Sequence, residues 1–398
     1  MRILHVIHSM DPRSGGPSHA IREMVVAQLE AGLSPSVIAT NAQATAEWDD
    51  DEVFCDSITS ESIFKQIPLN LAASYGKTRP WSRYSWSPQA ARLLRNRLQG
   101  PDRPDVVHIH GVFSHITQKA AQSAGKAGVP YIIRPAGALD LGCLQRGSAK
   151  LKQLFIGTLL RKAIQRAAFV HVTSEKEVES IHTQFPGAKT EVMPHGTRLD
   201  DPTAGQFREK FPELADCDYV LCLSRIHPIK RLDLAIRAFN SLSKDFPRTR
   251  MVIAGNDAGA LDGLKILVNE LALQDRCVFT GFVAGADKAR AYADARVLLH
   301  TSDHENFGLS VVEAMAYGCP VVTTVGVASG VYVGEASAGA VVSSEVAKIA
   351  DALRTVLDTS REELGQRGAN FVQQNLTWPR ITDRLVRLYK NAIADRSR

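Results

Sequence analysis

The feature that most restricts the fold of this chain is the alternation of short β-branched segments with longer helical ones along its whole length. Strands that alternate with helices predict parallel sheets covered by helices on both faces. The strands are not joined by a series of Asn-Gly hairpin turns, which argues against an all-β fold. The predicted strands are Ile3–Ile7, Ser36–Ala39, Val106–His110, Tyr131–Ile133, Phe169–Thr173, Tyr219–Leu223, Met251–Ala254, Cys277–Thr280, Val297–His300 and Val321–Thr324.

The alternation falls into two blocks that are separated by a break within His195–Phe211, where proline, glycine and aspartate cluster. A length of 398 residues is sufficient for two domains. We predict an α/β fold with two Rossmann-like domains, at 1–195 and 196–375, whose parallel sheets face each other across a cleft. In the last segment, 376–398, apolar residues at helical spacing predict a terminal helix over Trp378–Ile393.

The net charge of +5 is concentrated in the first half of the chain. Hydrophobic residues make up 44% and charged residues 22% of the sequence, which excludes a disordered, fibrous or disulfide-rich protein. Residues 76–166 contain 16 Lys and Arg against 3 Asp and Glu, whereas residues 201–398 contain 24 of each kind. The total is too small to indicate nucleic acid binding, but its placement predicts a basic patch on the first domain.

The six cysteines and the N-terminal residues favour a cytoplasmic protein. The cysteines form no CxxC pair and no zinc-type spacing, as expected for thiols in a reducing compartment. The first residues predict a strand and not a signal peptide, and no apolar run approaches the roughly 20 residues that span a bilayer. We therefore expect a protein of the cytoplasm that is either free or peripheral at the inner face of the cytoplasmic membrane.

Two histidines stand near the carboxyl end of one predicted strand. His108 and His110 are two residues apart, so they point to the same face of the sheet, at the edge where open α/β sheets bind ligands. His110 is in a position to donate a hydrogen bond to a substrate oxygen, and the alternative is a structural histidine. A metal site would need a third ligand, and the sequence identifies none.

Two strand-to-helix loops have features of a phosphate site. Gly15 and Gly16 follow the first strand, and the amides at the start of the next helix would attract an anion; a plain turn is the alternative. Arg225 and Lys230 flank another strand end and helix start. A fixed pair of cations is what a leaving pyrophosphate needs, and two solvated surface charges are the alternative.

The most informative segment, 297–322, predicts a strand, a polar loop, a short helix, a glycine stop and another strand. Glu305 lies in the loop and Glu313 in the helix. Each carboxylate can accept strong hydrogen bonds from hydroxyl groups, so together they could hold the two ends of a ligand; a capping residue and a surface glutamate are the alternative. The amides at the helix start, which suit phosphate oxygens, belong to Phe307, Gly308, Leu309 and Ser310.

These motifs resemble those of a known family. The E-x7-E block with its Ala-Met-Ala-Tyr-Gly-Cys-Pro-Val continuation, the segment Ser224–Lys230 and the early Gly15-Gly16-Pro17 resemble the retaining GT-B glycosyltransferases of family 4, also called group 1. Segments Arg134–Leu139 and Met193–Thr197 are similar to variants of motifs in members that build bacterial exopolysaccharide and lipopolysaccharide. The resemblance extends over nearly the whole chain.

The resemblance implies a nucleotide-sugar donor bound mainly by the second domain. Glu313 would hold the ribose hydroxyls, and Glu305 would contact the transferred sugar with help from the neighbouring amides. Arg225 and Lys230 would stabilise the diphosphate leaving group, assisted across the cleft by the amide of Gly16.

The resemblance also implies that His110 contacts the sugar and that the terminal helix crosses back to the first domain. Catalysis would need no cofactor and no metal, because basic side chains would supply the positive charge of a metal ion. The D-x-D strings Asp49–Asp51 and Asp216–Asp218 then represent solvated loops.

The segment 146–166 contains six basic residues among apolar ones and no acidic residue. The basic residues are Arg146, Lys150, Lys152, Arg161, Lys162 and Arg166. A basic amphipathic helix can lie on an anionic membrane, which would suit a lipid-linked acceptor. The alternative is an ordinary helix whose apolar side faces the core.

We expect a retaining hexosyltransferase of bacterial polysaccharide synthesis. The donor would be UDP-glucose or UDP-N-acetylglucosamine, with GDP-mannose next, and the acceptor a glycan or a lipid-linked glycan. The alternatives are a catalytically silent nucleotide-sugar-binding protein, a UDP-sugar epimerase on the same fold, and a sucrose- or trehalose-type synthase.

Overall fold

The computed structural model describes residues 1–10, 16–40, 67–72, 86–140, 144, 153, 155–198 and 206–396. The chain divides into two compact units. The first unit comprises Met1–Gly196 and Trp378–Arg398, and the second unit comprises Thr197–Thr377.

The first unit is built on a seven-stranded parallel sheet with the strand order β3-β2-β1-β4-β5-β6-β7. The central strands β1 and β4 are almost entirely buried, because helices cover both faces of a parallel sheet. Its strands are β1 Arg2–Ile7, β2 Ser34–Thr40, β3 Leu69–Ala72, β4 Val106–His110, β5 Tyr131–Arg134, β6 Phe169–Val172 and β7 Thr190–Val192.

Serine side chains start three helices of this unit. Ser87, Ser114 and Ser174 each accept a hydrogen bond from an amide of the first helical turn. The helices are α1 Gly16–Glu30, α2 Pro88–Gln99, α3 His115–Ala127, a π-helical turn Ile156–Leu160 that continues into α4 Arg161–Arg166, and α5 Glu175–Gln184.

The second unit is built on a six-stranded parallel sheet with the order β10-β9-β8-β11-β12-β13. Its strands are β8 Tyr219–Leu223, β9 Arg250–Ala254, β10 Cys277–Gly281, β11 Val297–His300, β12 Val321–Thr324 and β13 Gly339–Val342. Its α-helices are α6 Gln206–Glu209, α7 Leu232–Leu242, α8 Leu261–Glu270, α9 Gly285–Asp294, α10 Leu309–Ala316, α11 Gly330–Ala336, α12 Val346–Asp358 and α13 Arg361–Asn375.

The terminal helix α14, Trp378–Arg396, packs on the sheet of the first unit. Its buried face, which includes Trp378, Leu385 and Tyr389, shares an apolar cluster with residues of β1, β4, β5 and β6. Gly196 lies so close to the indole of Trp378 that a Cβ there would approach Cδ2 to 2.5 Å. The helix therefore completes a core whose other members all lie before Gly196 in the chain.

The predicted α/β class with two parallel sheets is confirmed, and all ten predicted strands are present with end points that differ by at most two residues. Three observed strands were not predicted, namely β3, β7 and β13. Each lies at the edge of its sheet, and an edge strand needs no long β-branched run because it pairs on one side only.

The described part of the basic segment follows the ordinary-helix alternative. Leu160, Ala163 and Ile164 are buried in the core of the first unit, whereas Leu159 is 45% exposed. Residues 146–152 and 154 lie outside the described residues. Among the helices that the structure describes, none is both long and apolar enough to cross a membrane.

Candidate functional site

The E-x7-E block forms the loop and helix that were predicted for it. Strand β11 ends at His300, the loop follows, and α10 begins at Leu309 after Gly308. Gly308 has a φ of +94°, and a Cβ there would lie 2.6 Å from Cγ1 of Val327 and 2.8 Å from Oγ of Ser329. The start of α10 is therefore restricted to glycine by both backbone conformation and space.

Lys230 and Glu305 form an ion pair within the second unit. Their side chains are only 13% and 20% exposed, and Oγ of Ser302 donates to the same Glu305 oxygen at 3.3 Å. Lys230 ends the 3₁₀ turn Pro228–Lys230, which is tied to the loop after β11 because Oγ1 of Thr301 donates to the Lys230 carbonyl at 3.1 Å. The fold thus brings together two residues that the sequence places in separate motifs.

Two opposing effects act on the pKa of Lys230. Burial, followed by the positive charge of Arg225, lowers the pKa of Lys230 to about 8, and the adjacent Glu305 carboxylate opposes this shift by favouring the ammonium form. Arg225 itself is exposed and forms no ion pair with any residue that the structure describes. At neutral pH the site therefore has one paired cation and one that is available to an anion.

His300 is a further member of the site that the sequence analysis missed. Its ring is buried, its Nε2 lies 3.6 Å from Oε1 of Glu305, and its Nδ1 lies 3.2 Å from Oγ of Ser310. Burial and the charge of Lys230 lower its pKa to about 3, so the ring is neutral. The signal for it was its position as the last residue of a predicted strand, directly before the polar loop.

Glu313 is held by residues of α9 that were not predicted. Nζ of Lys288 lies 2.7 Å from one carboxylate oxygen, and the hydroxyl of Tyr292 donates to the other at 2.9 Å. The carboxylate side chain remains 14% exposed. It is therefore neither an isolated surface glutamate nor a helix cap, but an acceptor group that Lys288 and Tyr292 help to fix.

The start of α10 presents unpaired backbone donors. Within the part of the chain that the structure describes, the amides of Gly308, Leu309 and Ser310 donate to no backbone or side-chain acceptor. The Phe307 side chain is buried in the apolar core. The N-terminal end of α10, where the helix dipole is positive, is thus suited to an anion.

Only one of the two D-x-D strings falls among the residues that the structure describes. Asp216 and Asp218 are exposed in the turn before β8, and Asp49–Asp51 lies outside the described residues. Of the double glycine, Gly16 is the first residue of α1 and Gly15 lies outside the described residues.

The histidine pair of the first unit has partners that the sequence analysis did not identify. His110 Nε2 lies 2.9 Å from Nδ1 of His5, which stands on the neighbouring strand β1. His5, His108 and His110 have potential ligand atoms within 4.8 Å of one another, so His5 is a candidate third ligand that the sequence analysis did not identify. The signal was the parallel pairing of β1 with β4, which sets His5 opposite His108.

Each of the two units matches a known protein family. Residues 15–196 match the family described as Glycosyl transferase 4-like domain, and residues 205–371 match the family described as Glycosyl transferases group 1. The D-inositol 3-phosphate glycosyltransferase of Mycolicibacterium smegmatis is 28% identical over 79% of this chain and 67% of its own length. The enzyme of the same name from Kineococcus radiotolerans is 31% identical over 53% of each chain, so the match spans about half of that relative.

Solved structures share the fold. Anabaena HepE, crystallised in complex with UDP, superposes with a TM-score of 0.77 at 18% identity over 98% of this chain and 100% of its own. Sucrose-phosphate synthase from Thermosynechococcus elongatus also has a TM-score of 0.77 and 18% identity, over 99% and 100%. HepE was in addition crystallised with UDP-glucose.

Proposed function

This chain belongs to the group 1 glycosyltransferases of family 4, which have the GT-B fold, and we propose that it transfers a hexose from a nucleotide sugar to a glycan or lipid-linked acceptor with retention of anomeric configuration. The observation that carries the proposal is the Lys230–Glu305 pair with Arg225 close enough to lower the pKa of Lys230. The unpaired amides of α10 belong to the same unit and supply further donors.

The charges of this site match the demands of the reaction. When the bond between the anomeric carbon and the β-phosphate oxygen breaks, negative charge develops on the diphosphate, so cations placed there act in the transition state. The acceptor hydroxyl attacks the same face of the sugar, a new C–O bond forms, and the leaving phosphate takes the hydroxyl proton. Lys230 and Arg225 stabilise the diphosphate, while Glu305 accepts hydrogen bonds from the sugar.

A UDP-hexose is the first donor to test, with UDP-glucose and UDP-N-acetylglucosamine before GDP-mannose. The support is that HepE, which has the same fold, was crystallised with UDP and UDP-glucose. Glu313, with two oxygens already oriented by Lys288 and Tyr292, is the acceptor group for the ribose hydroxyls.

The acceptor is proposed to be anionic. The surplus of 16 basic over 3 acidic residues in 76–166 favours such a partner. A lipid-linked diphosphate glycan and an inositol phosphate, the acceptor named for the relatives, are the two acceptors to compare. Peripheral membrane contact through the basic segment is tested by sedimentation with anionic vesicles at low salt, and the absence of binding would exclude it.

We expect turnover to need no metal, because Lys230 and Arg225 supply the positive charge that a divalent ion would otherwise provide. EDTA should leave the rate unchanged. Loss of the rate with EDTA, together with its recovery on addition of Mg²⁺ or Mn²⁺, would contradict this part of the proposal.

The central experiment is donor turnover by the Lys230→Met variant. Removal of one fixed charge from the transition state should lower kcat by about 100-fold or more. Lys210→Met is the matched control, since Lys210 pairs with Asp287 on an exposed surface, and its kcat should not change. A Lys230→Met variant that keeps full kcat would refute the proposal.

Product analysis separates the alternatives. A transferase releases the nucleoside diphosphate and a glycosylated acceptor, an epimerase converts the donor into its epimer without release, and a silent binding protein shows a thermal shift without turnover. Failure of every nucleotide sugar to shift the melting temperature or to be consumed would exclude all three.

A further inference from the structure

One residue of the second unit, Ser329, binds two consecutive carbonyl groups in the loop of the E-x7-E block. The backbone amide of Ser329 donates to the carbonyl oxygen of Phe307 at 2.8 Å. The hydroxyl of Ser329 donates to the carbonyl oxygen of Gly308 at 3.0 Å. Ser329 lies shortly after strand β12 and is completely buried, and it belongs to none of the motifs that the sequence analysis identified.

The hydroxyl of Ser329 does not have the local role that its position would suggest. Ser329 is the residue directly before α11, and a serine at such a position usually accepts a hydrogen bond from an amide of its own helix. In α11, which is described throughout, no amide donates to this hydroxyl. Helix capping therefore does not explain the serine, whereas the bond to Gly308 does.

Gly308 permits this contact because it has no side chain. A Cβ at Gly308 would lie only 2.8 Å from Oγ of Ser329, which is too close for an unstrained contact. Without a Cβ, the hydroxyl can reach the Gly308 carbonyl, which also accepts the amide of Val311 at 3.1 Å. One donor from α10 and one from Ser329 thus hold the same carbonyl oxygen.

The bonds from Ser329 set the direction of two backbone amides. A trans peptide group is planar, so its N–H points away from its C=O. The carbonyl of Phe307 shares a peptide group with the amide of Gly308, and the carbonyl of Gly308 shares one with the amide of Leu309. Since both carbonyls point to Ser329, both amides point away from it, and neither has an acceptor within the described part of the chain.

A buried polar atom beside the start of α10 also lacks a partner. The side chain of His300 is only 4% exposed, and its Nδ1 lies 3.2 Å from Oγ of Ser310, in the first turn of α10. Its Nε2 is directed toward Glu305 and has no hydrogen-bond partner among the residues that the structure describes. Buried polar atoms without a partner are uncommon in proteins, so this one indicates a polar ligand next to the start of α10.

We propose that Ser329 is a positioning residue for the diphosphate of the donor. By holding the carbonyls of Phe307 and Gly308, it aims the amides of Gly308 and Leu309 at the oxygens on which negative charge develops. Donors that are fixed before the reaction stabilise such charge without reorganisation. The identity of the ligand rests on the proposed function, whereas the direction of the amides rests on the contacts of Ser329 alone.

The Ser329→Ala variant tests this role, because it removes the hydroxyl bond and keeps the backbone bond. We expect donor kcat to fall about fivefold, and KM to change less, because the charge on the diphosphate is largest in the transition state. A loss of stability alone would lower the melting temperature without this separation of kcat from KM.

The direction of the Gly308 amide is measured by NMR of the full chain, with inorganic pyrophosphate as the probe. Phe307-Gly308 is the only Phe-Gly pair in the sequence, so ¹³C-phenylalanine and ¹⁵N-glycine labelling selects the Gly308 amide as a single signal. Pyrophosphate should move this amide proton downfield in the wild-type protein, as expected for a hydrogen bond to an anion. In Ser329→Ala the displacement should be clearly smaller.

Thr324→Val is the matched control for the loss of a hydroxyl bond. The hydroxyl of Thr324 is equally buried and donates to another carbonyl of the same loop, that of Ser302, at 2.6 Å. The peptide group that it holds carries the amide of Asp303, which already donates to the carbonyl of Ile229 at 3.1 Å. This amide is therefore not available to a ligand, so the control should lose stability but keep both kcat and the pyrophosphate response.

Three outcomes would overturn the proposal. They are an unchanged kcat and pyrophosphate response in Ser329→Ala, equal losses in Thr324→Val, and a Gly308 amide that does not respond to pyrophosphate in the wild-type protein. If the wild-type protein turns over no nucleotide sugar, the proposed function fails. The Gly308 signal then still decides whether Ser329 aims this amide at an anion.

Discussion

The two units stabilise buried polar side chains in opposite ways. In the first unit, four imidazoles, a tyrosine and a glutamine form a buried hydrogen-bonded network, the histidine relay. Its members are His5, Gln28, His108, His110, His171 and Tyr389, and burial keeps the imidazoles neutral. In the second unit, Lys230–Glu305 and Lys288–Glu313 form charged pairs that keep some contact with solvent. A neutral network can be fully buried at low cost when its groups are paired, whereas buried charges need an opposite charge or water nearby. Among the ring nitrogens of this network, only Nδ1 of His110 has no partner among the described residues.

This difference fits what each region would have to do. A leaving diphosphate requires charge, and charge that is partly exposed can exchange one partner for another when a ligand arrives. The neutral network of the first unit is fully buried and has no such contact with solvent. The comparison predicts different responses of the two units to acid, to a backbone substitution and to the loss of one hydroxyl.

Lowering the pH should have the largest effect on stability, and it should destabilise the first unit. The folded pKa of His5 is about 4 and that of His171 about 3, against about 6.5 when unfolded. The unfolded chain therefore binds more protons, so the stabilisation is complete above pH 6.5 and is lost as the pH falls toward these values. Within that window, each such ring lowers the free energy of unfolding by about 1.4 kcal/mol for every pH unit of acidification.

Tryptophan fluorescence measures this effect selectively. All four tryptophans of the sequence belong to the first unit, so urea unfolding followed by their emission reports on that unit. The midpoint should fall steeply between pH 6.5 and 4.5, and hydrogen exchange of β8 and β11 should change less, because His300 is the only comparably shifted histidine among the described residues of the second unit. A midpoint that is constant from pH 7 to 5 would contradict the neutral relay.

Addition of a methyl group at Gly308 should have the next largest effect on stability, and it should destabilise the second unit. Gly308→Ala forces a residue with a side chain into a left-handed conformation, at a cost of about 1 kcal/mol, and adds overlap with Val327 and Ser329, at about 1–3 kcal/mol. Gly259→Ala is the control, since Gly259 has a similar φ of +95° and nothing within 4 Å. Hydrogen exchange of the second unit measures both, and equal losses would mean that space at Gly308 is not limiting.

Removal of one hydroxyl should have the smallest effect and compares the two regions directly. Tyr292→Phe leaves Glu313 paired with Lys288 and should cost about 1 kcal/mol of unfolding free energy. Tyr389→Phe leaves Nδ1 of His108 buried without a donor and should cost about 2 kcal/mol. Urea unfolding of both variants checks the order, and a larger loss for Tyr292→Phe would reverse the comparison.

The sequence predicted those features that depend on local pattern. The buried strands were recognisable because β-branched runs mark them, and the E-x7-E block was recognisable because its loop, helix and glycine stop follow one another directly. The edge strands β3, β7 and β13 escaped because three or four residues with one pairing partner need no such run.

Partnerships between distant residues could not be predicted in the same way. Glu313 was identified, but Lys288 and Tyr292, which orient it, lie on a different helix and belong to no motif. His110 was identified, but its partner His5 lies on the neighbouring strand β1, and only the fold brings the two rings together. Sequence pattern indicates which side chains are chemically useful, and the three-dimensional arrangement decides whether they donate or accept.

The position of Tyr389 on the terminal helix has a consequence for biosynthesis. The bond from Tyr389 to His108 joins residues 281 positions apart, and the whole second unit, Thr197–Thr377, lies between them. During translation the second unit is contiguous and can fold as soon as it leaves the ribosome. The first unit must wait for the helix that follows, so the charged site of the second unit can form before the contact between Tyr389 and His108 does.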